Sequence, residues 1–247
     1  VTDLQIDGLG ALQAVTTRIC VLETGAISGF TATPLGYYTI LLLHFEGADA
    51  STTFTDSSFY AQTVTPTNAE IDTAQYIVET ASGLFQATGD LTITHHAATW
   101  AIGTGDFCVE CWFRMATLPA NNTSFYLFEK GSTSGIIVAP STDGSGAGLL
   151  DVWVGGTDYA IPATFATNTW YHVAVNRFSG SLKIFVDGYL GASATNITDV
   201  DTTGDAHIGD DGAGGAPLDG WVDELRASRR SRYTSPFTPS TTPFTAD

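Results

Sequence analysis

The sequence predicts an all-β fold, a sandwich or a barrel, and three observations carry that expectation. Short apolar or alternating runs recur about every 8–12 residues, separated by Gly, Asp and Ser turn signals. No window of useful length sustains a helical period. Charged residues are 14% of the 247, well below the roughly 25% of an average soluble protein, and Thr fills about one position in seven. A β-branched hydroxyl residue suits a hydrated pleated surface.

Taken in order, the strands begin with two short pieces, Leu4–Ile6 and Arg18–Leu22, in a segment too small to bury a core. Residues 1–36 therefore read as an N-terminal β arm, anchoring or edge-forming, and residues 37–247 as the main domain. Tyr38–Phe45 is a largely apolar strand, and Thr52–Ser58 reads as a strand entering a polar turn. Ser82–Phe85 and Leu91–Thr94 flank a turn at Thr88–Asp90. Phe107–Arg114 is the clearest strand, with Phe107, Val109, Cys111 and Phe113 on one face and Cys108, Glu110, Trp112 and Arg114 on the other. Phe125–Glu129, Gly135–Val138 and Leu149–Val154 follow. Trp170–Phe178 and Leu182–Val186 form a hairpin, and Asp187-Gly188 begins a second turn. His207–Gly209 and Gly220–Ser228 complete the series.

Composition narrows the function. Twenty-six acids against nine bases leave a formal charge of −17, which repels nucleic acid and anionic membrane surfaces. No apolar run reaches the 18 residues of a membrane span, and no signal peptide is expected at the start. Four of the nine bases, Arg226, Arg229, Arg230 and Arg232, cluster and are expected to pair with acids of a neighbour. Cys20, Cys108 and Cys111 are too few for a disulfide framework. Cys108-Val-Glu-Cys111 invites a metal or redox reading, yet on a strand their Cα atoms stand roughly 10 Å apart with opposed side chains, beyond disulfide reach. Cys111 is expected in the core.

The pieces LLLHFEGADASTTFTDSS (41–58), IDTAQ (71–75), ASGLFQATGDLTI (81–93), GTGDFCVECWFR (103–114), NTWYHVAVNRFSGSLKIFVDG (168–188) and GWVDELRASRRSRYTSPFTP (220–239) occur in one order. Together they make the chain similar to laminin-G-like, concanavalin A-like jelly-roll domains, in the variant common in phage and environmental viral proteins. The resemblance implies two antiparallel sheets packed face to face. It implies a virion location, with the sandwich displayed outward, other virion proteins and further copies of the chain as partners, and a host-surface glycan as possible ligand. A secreted or cell-surface carbohydrate-binding module is the alternative.

The retaining glucanases of this architecture carry Glu-x-Asp-x-Glu on one strand, which places the carboxyls on one face. That triplet is absent: Glu110 is alone in its strand, and Asp223 and Glu224 are adjacent, expected on opposite faces. His172 lies mid-strand without a G-x-S-x-G elbow. A non-enzymatic protein is expected. For a glycan, Trp153 and Asp151 share the face of Leu149–Val154 opposite the apolar set, with Asp158 and Tyr159 close in sequence. For calcium, which takes six to eight oxygens, the acids Asp199, Asp201, Asp210 and Asp211 lie in Gly- and Asp-rich loops, though Asp-Gly pairs are also ordinary turn chemistry.

Overall fold

The computed structural model describes residues 37–247; the proposed arm, with Cys20, lies outside the described residues. Fourteen strands follow one another: β1 (Thr39–Leu43), β2 (Val64–Asp72), β3 (Ser82–Ile93), β4 (Phe107–Met115), β5 (Phe128–Lys130), β6 (Ile136–Thr142), β7 (Gly148–Val154), β8 (Thr157–Asp158), β9 (Ile161–Pro162), β10 (Trp170–Phe178), β11 (Ser181–Val186), β12 (Tyr189–Thr195), β13 (Ala206–Ile208) and β14 (Gly220–Ser228). All pairings are antiparallel, and the fold is a jelly-roll β-sandwich. Among the described residues no helix is long and apolar enough to cross a membrane.

The first layer runs β12-β11-β10-β4-β14. The far edge of β14 is shared, residues 220–222 pairing with β3 and 225–228 with β1. The second layer runs from the end of β3 through β13, β5, β6 and β7 to the short β8 and β9. Strand β3 belongs to both layers, which is why the Ser82–Phe85 and Leu91–Thr94 segments are one strand rather than two. Opposite Asn68 of β2, which is left-handed at φ 49, the register slips between Thr67↔Asp90 and Ala69↔Phe85. Such a bulge bends a pair sharply, and here it carries the chain from one sheet to the other. The Thr52–Ser58 segment forms no strand and makes only the isolated bridge Leu43↔Asp56. Asp56 is instead a turn anchor, its Oδ1 accepting from the amides of Leu42 and Ser58 at 2.9 Å.

Between the layers lies one apolar core, including Phe85, Phe107, Phe113, Phe128, Val152 and Leu225. Cys111 packs in it beside Val109 and Phe113, whereas Cys108 occupies the opposite face of β4. Both thiols are buried and free, and burial pushes both pKa values up.

The first layer is also buried on its outer face, because residues 229–247 return across it as a strap. Trp112 Nε1 donates to the Ser240 carbonyl at 3.0 Å, the Phe244 amide to Glu224 at 2.7 Å, and the amides of Tyr38 and Thr39 to the Asp247 carbonyl. Phe237 and Phe244 both pack edge-on against His172. Under the strap sits Glu110, with no solvent exposure. Arg226 grips its Oε1 through Nε (2.9 Å) and Nη2 (2.6 Å), and Tyr233 donates to Oε2 at 2.7 Å. Burial alone would raise the Glu110 pKa, but the adjacent His172, the Arg226 guanidinium and the Tyr233 hydroxyl hold it down at about 2.

The arginine cluster finds partners within the chain: Arg226 in Glu110, Arg230 and Arg232 in Asp247, and Arg229 in the carbonyls of Ala98 and Tyr37. Asp223 and Glu224 do not diverge. A bulge between Asp223 and Arg226, with Glu224 at φ 49, turns both toward the strap side. Asp223 Oδ2 accepts the amides of Ile77 and Val78 at 3.0 Å, and Glu224 meets His44 at 2.6 Å.

Replacing Arg226 by Met strands the Glu110 charge and is expected to cost about 3 kcal/mol or more, with the double replacement Glu110→Met/Arg226→Met recovering most of it. Urea unfolding measures both, and an equal loss in single and double variants would contradict the pairing. Asp223 is opposite in sign. Burial pushes its carboxyl from 3.8 up to about 7, so the folded state keeps a proton that the unfolded chain releases. Its contribution is full below pH 4 and lost as pH rises through 7. Asp223→Asn is thus expected to gain thermal stability over the wild type between pH 4 and 7, with a constant advantage above.

Candidate functional site

The candidate site lies on the outer side of the second layer. Ala206 and Ile208 of β13 enter the core, so period-two alternation sends His207 outward. His207 pairs directly with Glu129 of β5, Glu129 with Ile137 of β6, Ile137 with Trp153 of β7, and Trp153 with Asp158 of β8. Residues directly opposed in antiparallel strands share a face. His207, Glu129, Ile137, Trp153 and Asp158 therefore form one row, in which Ile137 is buried and Trp153 stands about 10 Å from Glu129 by strand spacing.

At the His207 end the row opens into a cleft of about 740 Å³ at the sandwich rim, lined among others by His95, Trp100, Glu129, Asp205, His207 and Asp211. The loop 201–205 forms one wall and is held by Lys130. The Lys130 ammonium donates to the carbonyls of Gly204 (2.6 Å) and Thr202 (3.2 Å) and to Thr202 Oγ1 (3.3 Å). Burial pulls its pKa down to about 8. Gly131 permits the close approach: its φ is 75°, and a Cβ there would stand 1.6 Å from Thr202 Oγ1. Asp205 Oδ1 accepts the His95 amide at 2.7 Å, tying a second wall to the same loop.

His207 Nδ1 faces Asp90 Oδ2 at 3.1 Å, and that hydrogen bond, against the opposing effect of burial, raises the imidazole pKa. Glu129 is only 8% exposed; its Oε1 accepts the Ser132 amide at 2.8 Å. Burial raises its pKa. Tyr126 joins the two ends of the face: its pKa is raised by burial and then by the charges of Glu129, Asp211 and Asp151.

Of the residues chosen from sequence for a glycan, Trp153 and Asp151 are half-buried on this outer face, and Asp158 is exposed beside Trp153. Burial and the Asp151 charge raise the Asp158 pKa. Tyr159 turns the other way, packing against the core while its hydroxyl accepts from Asn196 Nδ2 at 3.1 Å. The four calcium candidates divide between two loops. Asp199 accepts the Asp201 amide, and Asp201 Oδ1 accepts the amides of Ile102 and Gly103 at 2.7 Å. Asp210 accepts from Asp211 and Ala216, and Asp211 from Ala213 and Gly215. These oxygens close turns, and among the described residues no group of three or more His, Cys, Asp or Glu side chains is placed to hold a metal ion. The donor set does not fit a calcium cage, although Asp201 and Asp211 do reach the cleft.

His207 and Glu129 were not singled out from the sequence. The only local signal is a polar residue between two apolar ones in Ala206-His-Ile208, and the pairing that joins it to Glu129 is non-local.

This geometry, a two-layer sandwich with a cleft at its rim, is that of a lectin-like fold. Residues 85–234 match the family model described as the concanavalin A-like lectin/glucanases superfamily, laminin-G type, and the chain belongs to that family. No curated protein matches the sequence. Among solved structures it is similar to the binding domain of Paraclostridial Mosquitocidal Protein 1 (12% identity, TM-score 0.61, covering 79% of this chain and 50% of that one). It is also similar to domain 4 of AbnA, a GH43 extracellular arabinanase from Geobacillus stearothermophilus, in complex with arabinotriose (16%, TM-score 0.56, 80% and 95%). A third is the binding domain of botulinum neurotoxin DC in complex with SialylT (13%, TM-score 0.59, 79% and 49%). The chain spans about half the length of these toxin binding domains and nearly all of the arabinanase domain.

Replacing Lys130 by Met is expected to release the 201–205 wall. Hydrogen exchange at residues 202–205 should accelerate while the β4 and β10 amides stay protected; unchanged exchange at 202–205 would mean that Lys130 does not hold the loop.

Proposed function

We propose that the protein is a non-enzymatic glycan-binding module, carried on a bacteriophage virion as a capsid decoration, fibre or tail-associated subunit, and that it contacts sugar along the His207–Glu129–Trp153 face. The observation that carries this reading is the rim cleft itself, which sets Trp100 beside Glu129, Asp205 and His207, with the half-buried Trp153 farther along the same cross-strand row. A sugar ring offers C–H groups to an aromatic surface and hydroxyls to carboxylates and imidazoles, and this face supplies both. The arabinanase domain, solved with arabinotriose, supports the reading from a protein of similar fold.

The non-catalytic assignment is supported by the missing Glu-x-Asp-x-Glu strand and by the use made of two buried acids of the first sheet. Glu110 is consumed by Arg226 and Tyr233, and Asp223 by the 77–78 loop, so neither faces a cleft. The virion setting is supported by the phage-type motifs and their order, with residues 1–36 as the attachment to other virion proteins or to further copies of the chain.

A glycan array, run with and without calcium, tests the binding. The expected result is a calcium-independent signal that Trp153→Ala weakens about tenfold, the worth of one aromatic contact. Silence on the array from protein that copurifies with particles would replace the binding role with a purely structural one.

A further inference from the structure

The walls of the cleft state a charge preference. Carboxylates of Glu129, Asp201, Asp205 and Asp211 line it, with Trp100 and Ala97 as apolar surface. The one ammonium nearby, on Lys130, is spent on the carbonyls of the 201–205 loop and lies 5.5 Å over the Trp100 ring. Its charge acts on Asp205 and Asp201, while Glu129 and Asp211 form no ion pair with a lysine or arginine among the described residues. The second observation is Glu129 itself, more than nine-tenths buried. Its Oε1 has the Ser132 amide, its Oε2 has no hydrogen-bond partner among the described residues, and the residue lines the cleft. A carboxylate oxygen held in so little water gains most from a charge-assisted donor.

We infer that the cleft selects a glycan bearing a free primary ammonium, an amino sugar whose nitrogen is not acetylated, with Glu129 Oε2 as its acceptor. This rests on the reading of the cleft as the sugar contact and adds the class of sugar. An ammonium offers three donors, enough to reach Glu129 and a second wall carboxylate such as Asp205 or Asp211. Acetylation removes both the charge and two of those donors. A sialylated or uronic-acid sugar brings a carboxylate against four others and is rejected. The cross-strand neighbour His207, bound through Nδ1 to Asp90, leaves Nε2 for a ring hydroxyl.

Isothermal titration with glucosamine oligomers, N-acetylglucosamine oligomers of equal length and sialyllactose tests the inference. It uses the wild type, Glu129→Gln and, as a control for the general negative field, Glu79→Gln at an exposed site outside the cleft. The expected result is binding of the free-amine oligomer at least tenfold tighter than the acetylated one, no binding of sialyllactose, and a preference that survives 0.5 M salt in part. Glu129→Gln should erase the preference while leaving the acetylated oligomer bound as before, and Glu79→Gln should change nothing; melting curves confirm that both variants are folded. Equal or tighter binding of the acetylated oligomer, or a preference unaffected by Glu129→Gln, overturns the amine assignment and leaves the glycan reading standing. Failure of every oligomer to bind overturns both.

Discussion

The buried ion pair of Glu110 and Arg226 is the constraint around which the first sheet is arranged. β4 and β14 are covered on both faces, by the core on one side and by residues 229–247 on the other. A carboxylate with no solvent exposure in such a place is tolerable only if every lone pair is met. Arg226, Tyr233 and, at 3.7 Å, Arg232 meet it. Arg232 in turn reaches Asp247, whose backbone carbonyl ties down the start of β1. One charge thus links the strap, the central strands and the first strand.

That arrangement has a consequence for function. The C-terminal segment covers the β4 and β14 part of the first sheet, which is why the sugar contact is proposed on the second. There the short β5 and β13 place Glu129 and His207 in the cleft lining, and loops rise at the rim. The loops are held by hydrogen bonds of the chain: Asp201 caps the amides of Ile102 and Gly103, Asp211 those of Ala213 and Gly215, and Lys130 binds the loop carbonyls. The acids that resemble calcium ligands in sequence are the acceptors that shape the loops.

Much of the fold was legible in the residues. The alternation in Phe107–Arg114 placed Cys111 inward and Cys108 outward, and Trp170–Phe178 and Leu182–Val186 read as a hairpin whose second strand in fact starts one residue earlier, at Ser181. Thr52–Ser58 misled because Thr-rich alternation also suits a loop in which Asp56 satisfies the backbone. The bend in β3 was read as a turn because Thr88-Gly-Asp90 has turn chemistry; a bulge uses the same residues. Asp223 and Glu224 alternate only in a regular strand, and the bulge at Glu224 is invisible until Arg226 must reach Glu110. For the site, Trp153, Asp151 and Asp158 were reachable by local alternation. Their continuity with His207 and Glu129 was not, since it depends on strand order across β13, β5, β6 and β7.

The central claim is that sugar binds the outer face of the second sheet, at the rim cleft. Chemical-shift mapping on the labelled protein during titration with a glucosamine oligomer tests it most directly. The account predicts shifts confined to residues 129–134, 151–158 and 201–211, with the Trp153 indole among them and the strap at 229–247 silent. Shifts centred on the strap or on the β10–β12 edge, with the cleft unmoved, would contradict it.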